Sequence, residues 1–208
     1  MALNADITGD QSSKKAIIDI YDAFGIMSQT LQGADLLAAG LKAMVLVPDF
    51  FKGEPLPLNM VPMDTDEKKA AGAKFISEKA GIPQNIDMLL KVTTEAKEKW
   101  SNVEAWGVFG LCWGGKVVAL VSGSGTLFKV SGQAHPARLA KEDAEQMTIP
   151  HICLFSHDEP ADLVKEYSDV LSAKDINEFE TYSTMHHGWM GARADLKNEE
   201  NAKEYERG

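Results

Sequence analysis

Short apolar runs alternate along the chain with longer amphipathic stretches, and each change of period predicts an element. Ala16–Tyr21 and Ala43–Val47 are nearly continuous apolar runs, as in strands buried on both faces. Between them, Gln29–Gly40 places Leu31, Ala34, Leu36 and Ala38 at helical spacing and ends in a glycine C-cap. Pro48–Pro62 carries four prolines and reads as a surface loop. Two helices follow, Thr65–Lys79 and Pro83–Trp100, the first opened by Thr65-Asp66-Glu67, an N-cap residue with early negative charge. Val103–Phe109 is then a strand, Trp113–Ser122 a small-residue helix and Leu127–Ala134 a strand. His151–Phe155 is a strand, Ala161–Ala173 a helix, Glu178–Tyr182 a short strand, and the tail from Asn198 begins helically. This strand–helix–strand repetition predicts an α/β fold with a mostly parallel sheet covered on both faces.

The length changes little in that picture: 208 residues form a single domain, 1–208, at roughly 100–200 residues per domain. Charge narrows the function. Twenty-one basic against 31 acidic residues give a net charge of −10, which argues against a nucleic-acid groove or an anionic membrane surface. No apolar run approaches the ~18 residues of a membrane span. Met1–Lys15 has no basic segment followed by an apolar core, so no export signal is expected and the location reads as cytoplasmic. Two cysteines, Cys112 and Cys153, are too few for a disulfide framework and read as reduced thiols.

The chemistry concentrates in Val108-Phe109-Gly110-Leu111-Cys112-Trp113-Gly114-Gly115-Lys116. A strand runs into glycines and then a helix, and Gly110-x-Cys112-x-Gly114 has the spacing of a nucleophile elbow with cysteine in place of serine. The strained turn needs small neighbours two residues either side. It stands the side chain at the positive end of the following helix, which favours a thiolate. Two other readings stay open. Gly110-x-x-x-x-Gly115-Lys116 matches a phosphate-binding loop until Val117, which stands where a magnesium-binding hydroxyl belongs. Cys112 could also be a structural thiol in a buried turn.

An elbow calls for an acid after a later strand and a histidine after the last. His151–Phe155 leads to Asp158 and Glu159, of which Asp158 lies nearer the strand end and is expected to be the acid. Met185-His186-His187-Gly188-Trp189 supplies the histidine. Adjacent histidines without a spaced third ligand do not make a metal site, so no metal is expected. Phe50, Phe51, Leu56, Leu58, Met60, Trp113 and Trp189 are expected to wall an apolar pocket, with His135 facing it.

These motifs resemble the dienelactone hydrolase family of α/β-hydrolases over about Lys15–Arg207: Asp22-Ala23-Phe24-Gly25, Pro48-Asp49-Phe50-Phe51-x-Gly53, Gly110-Leu-Cys112-Trp-Gly-Gly115, Asp158 and His187-Gly188-Trp189. The resemblance implies an α/β-hydrolase fold with Cys112 as nucleophile, Asp158 as acid and His187 as base. It also implies an oxyanion hole from the Trp113 and Ala23 backbone N–H groups. Asp22 stands where the family often has a glutamate that holds the resting thiol, and Arg193 lies near the place of an arginine that holds a substrate carboxylate. Family members carry strands before Ala16 and a helix beyond the position of Gly208, so the chain reads as shorter at both ends. The expected activity is hydrolysis of a small ester or lactone without a cofactor, by a monomer or homodimer. The alternative is a hydrolase-like protein whose reactive thiol senses or binds without turnover.

Overall fold

The computed structural model describes residues 4–174 and 177–208. The reading of Met1–Lys15 as free of an export signal falls in part on residues outside these. In chain order the elements are β1 (Ala5–Thr8), β2 (Lys15–Ile20), α1 (Ser28–Leu41), β3 (Met44–Pro48), a 3-10 turn (Leu58–Met60), α2 (Asp66–Glu78) and α3 (Ile82–Lys99). They continue with β4 (Ala105–Leu111), α4 (Trp113–Val121), β5 (Val130–Ala134), α5 (Lys141–Gln146), β6 (His151–Ser156), α6 (Ala161–Ser172), β7 (Glu178–Tyr182) and α7 (Glu199–Arg207). The strands form one sheet in the order β1-β3-β2-β4-β5-β6-β7. Every pair is parallel except β1 with β3, which are antiparallel.

The apolar runs explain the interior. All five residues of β3 are buried, as a continuous hydrophobic run requires. Helix α4 buries Val117, Val118 and Val121 beside Leu89 and Ala96 of α3. The Thr65 hydroxyl accepts from the Lys68 N–H at 3.3 Å and starts α2 as its sequence predicts. Three elements are new: β1, whose four residues alternate too briefly to stand out, the 3-10 turn, and α5, a six-residue helix rich in charge. Val130, not Leu127, opens β5, because Thr126–Lys129 is still irregular connection after the turn. No helix among the described residues is long and apolar enough to cross a membrane.

Because β2, β4, β5, β6 and β7 are parallel, their carboxyl ends share one rim. That rim receives Tyr21–Ala23 after β2, Cys112 after β4, His135 after β5, Asp158 and Glu159 after β6, and His186 and His187 after β7. Segments far apart in the chain are thereby delivered to one crevice, the usual ligand position in such sheets.

Candidate active site

Cys112 sits between β4 and α4 with φ 52° and ψ −109°, a left-handed backbone that a non-glycine residue adopts only under strain. The neighbouring glycines make the turn possible. A Cβ on Gly110 would lie 2.4 Å from the Gly114 carbonyl, and one on Gly114 would lie 2.1 Å from the Ile20 carbonyl. Both obstacles are backbone, so neither can swing aside. Gly114→Ala is accordingly expected to destabilise the fold by about 3 kcal/mol, read as a lower urea midpoint at unchanged m-value. The Cys112 N–H donates to the Ala134 carbonyl at 3.1 Å, and its own carbonyl accepts from Ala137 at 3.0 Å, so β5 and the loop after it pin the elbow on both sides.

The His187 imidazole faces this thiol. Its Nδ1 meets Glu159 Oε1 at 2.7 Å, while Cys112 acts as its other hydrogen-bonding partner. Burial alone would push the ring's pKa down. The bonds to Cys112 and Glu159, with their charges, outweigh it and push it up to about 10. Glu159 is itself buried, and the turn after β6 holds it: Ser156 Oγ donates to Oε1 at 3.1 Å and the Ser156 N–H donates to Oε2. Both buried carboxylate oxygens therefore have a hydrogen-bond partner.

Asp158, the expected acid, does not reach the imidazole. Its Oδ2 accepts from the His187 backbone N–H at 2.8 Å and its Oδ1 pairs with His157 Nε2 at 3.1 Å. The His187 N–H holds its pKa below the ordinary range. Position along the strand favoured Asp158. The turn instead directs residue 159 inward and residue 158 outward, and both carboxylates bind the same loop, one by its backbone and one by its ring.

Asp22 also departs from expectation. Its Oδ1 accepts from Phe24 N–H at 2.9 Å and its Oδ2 from Ala192 N–H at 2.8 Å. Both oxygens therefore serve backbone donors rather than the thiol. Burial raises its pKa against those bonds. It staples the loop after β2 to the loop that follows His187, and a Cβ on Gly191 would come within 2.3 Å of its Oδ2. Arg193 turns its guanidinium onto the His187 carbonyl at 2.6 Å, and the Arg193 carbonyl meets His186 Nε2 at 3.2 Å. It braces the histidine loop instead of facing the cavity.

A cavity of about 140 Å³ opens beside Cys112, and Ala23 and Trp113 line it together with the thiol. As the first residue of α4, Trp113 has no intrahelical acceptor for its N–H. Leu56 lines the cavity as expected, but Phe50, Trp189 and His135 do not. Phe50 and Phe51 are buried with Tyr21 and Trp113 in one aromatic cluster, with Phe51 and Trp113 centroids 4.8 Å apart. Trp189 is fully buried and stacked on Tyr182 at 4.5 Å. His135 is fully buried with its ring 5.2 Å from that of His187, and burial, then the charge of His187, holds its pKa well below the ordinary value. The walls come instead from Met63 and from Phe75 and Ile76 of α2, with Lys116 and Arg138 as the charged groups. Nothing in the weak amphipathicity of α2 marked it as a wall.

The model of the dienelactone hydrolase family matches residues 3–207. The chain belongs to the dienelactone hydrolase family. An AIM2 family protein of Schizosaccharomyces pombe is 35% identical over 204 residues, covering 97% of this chain and 81% of that one. A protein named hydrolase pyvD of Aspergillus violaceofuscus is 26% identical, covering 90% and 74%. In fold, the crystal structure of a dienelactone hydrolase from Anabaena variabilis superposes with a TM-score of 0.65 at 10% identity, covering 97% of this chain and 88% of that one. Within this α/β-hydrolase family, the elbow and the histidine loop stood out in the sequence. What sequence reasoning missed is the choice of Glu159 over Asp158, the part of Ser156 and the place of α2 in the cavity wall, and the one available signal was that two acids follow β6.

Proposed function

We propose that this dienelactone hydrolase family member cleaves small carboxylic esters or lactones with the Cys112 sulfur as nucleophile. The observation that carries the proposal is the line from the strained Cys112 turn through His187 to the buried Glu159. The sulfur attacks the carbonyl carbon, forming the S–C bond while the C=O electron pair moves onto oxygen. The N–H groups of Trp113 and Ala23 donate to that oxyanion, and losing one such donor typically costs about 3–4 kcal/mol. As the intermediate collapses, the C–O bond breaks and His187 gives its proton to the leaving alkoxide, which in a lactone stays tethered. His187 then takes a proton from water, whose oxygen attacks the thioester and releases the acid and the sulfur. Glu159 keeps the ring in the required tautomer and balances its charge.

The apolar cavity of about 140 Å³ favours a small acyl group, being well below the ~300 Å³ at which drug-sized ligands fit. The catalyst would act on a small molecule, as a monomer or homodimer. Its two free thiols suit a reducing, cytosol-like compartment.

The test is hydrolysis of p-nitrophenyl acetate and of an unsaturated five-membered lactone during stepwise alkylation by iodoacetamide. Turnover is expected to fall in proportion to Cys112 carboxymethylation, with Cys153 unmodified because it is fully buried and burial raises its thiol pKa. Full turnover by a chain alkylated at Cys112 would overturn the proposal. A single burst without turnover would assign the thiol to binding or sensing.

A further inference from the structure

A second cavity, of about 350 Å³, lies between α1, α7 and the sheet and shares no lining residue with the one at Cys112. Its walls are apolar, with Leu36, Leu37, Phe109 and Met190. Beside Tyr205, Glu206 and Arg207 of α7, two deeply buried polar side chains interrupt them, Asp19 of β2 and Thr30 of α1, which are only 2% and 1% exposed. Asp19 Oδ1 and Thr30 Oγ1 have no hydrogen-bond partner among the described residues. Buried polar atoms are nearly always paired, and an unpaired carboxyl is the more costly of the two.

Among the described residues, the surroundings supply no uncommitted countercharge. Asp22 lies in the loop after β2, Asp35 is on α1, and Tyr205 and Glu206 come from α7, all acidic or neutral groups. Lys15, at the start of β2, gives its Nζ to the Leu41 carbonyl at 2.5 Å. Arg207, the cation on the cavity wall, is engaged by Glu180 at 2.7 and 2.9 Å and by Glu204 at 2.7 Å. The net charge of −10 favours a cation from solution.

We propose that this cavity is a binding site for a small primary amine on a short apolar chain. Its ammonium would donate to Asp19 and Thr30 while the chain lies against Leu37 and Phe109. An ammonium offers three donors and the positive charge that the carboxyl lacks. A carboxylate ligand would meet repulsion, and an alcohol would leave the charge unpaired. The site is independent of the thiol chemistry.

The pH dependence follows from the geometry. Burial, and then the nearby charge of Asp22, push the Asp19 pKa up to about 7. An ammonium binds the ionised form, so its affinity rises as the pH rises through that value. Between pH 5.5 and pH 8 the ionised fraction, and with it the affinity, grows about 30-fold.

The experiment titrates the full chain with n-butylammonium chloride, followed by amide NMR shifts at Gly33, Leu37 and Phe109. Saturable binding is expected, at least about tenfold weaker in Asp19→Asn, weakened in Thr30→Val, and at least about tenfold weaker for n-butanol. Asp19→Asn is expected to fold with a higher Tm than the parent at pH 8, because it removes a buried unpaired charge, so lost binding there is not lost structure. Cys112→Ala is expected to bind as the parent does, whatever becomes of the hydrolase proposal. Equal binding by Asp19→Asn, shifts that never saturate, or an affinity that does not change between the two pH values would each overturn the site.

Discussion

Replacing Cys112 by alanine is expected to lower kcat/KM for p-nitrophenyl acetate by about 10⁴-fold or more, with little change in stability. The other thiol cannot take its place, since Cys153 lies fully buried in β6. The fold survives because the turn depends on Gly110 and Gly114 rather than on the sulfur. Alanine also keeps the left-handed strain, since any Cβ at φ 52° meets the same backbone crowding. Cys112→Gly removes that crowding and is expected to be the more stable of the two by about 1 kcal/mol, while equally inactive. Urea unfolding beside the ester assay separates the effects. Parent-like hydrolysis by the alanine variant would remove the nucleophile assignment.

The second large effect is expected at Glu159. Glu159→Gln should lower kcat/KM by about 10²–10⁴-fold, whereas Asp158→Asn should lower it less than about tenfold. Glu159 touches the ring that moves the proton, and Asp158 touches only the backbone of the same residue. The pH behaviour distinguishes a charge effect from a shape effect. In the parent, Cys112 and Glu159 hold His187 protonated up to about 10. Stability from this raised pKa is fully present below the ordinary histidine value of about 6.5 and is lost as the pH rises through about 10. Without the Glu159 charge, burial is less opposed and the His187 titration, followed by the imidazole NMR signal, should fall by about 1–3 pH units. An unmoved titration, or a larger loss in Asp158→Asn, would return the role to Asp158.

Most of the strands and helices, and that the sheet is mostly parallel, were legible in the chain alone. Those features depend on local periodicity: β3 is apolar throughout, and Thr65 announces its own helix. The elbow was legible for a related reason. The demand on Gly110 is local, since a Cβ there would lie 2.4 Å from the Gly114 carbonyl, whereas the demand on Gly114 comes from Ile20 across the sheet. The short strand β1 was not legible, because four residues carry too little pattern and its partner β3 lies across the sheet edge.

Orientation around the site belonged to the tertiary structure. Asp158 and Glu159 are neighbours in sequence, and only the turn closed by Ser156 decides which of them points inward. Asp22 became a staple because the loop around Ala192 brings a backbone donor to it across the fold. Phe50 and Trp189 became core, while Phe75 and Ile76 became the cavity wall, because an apolar side chain in sequence does not reveal what will cover it. Periodicity reports which face of an element is buried. The rim where five strand ends meet is set by how the sheet assembles, so the acid, the staple and the pocket were decided there.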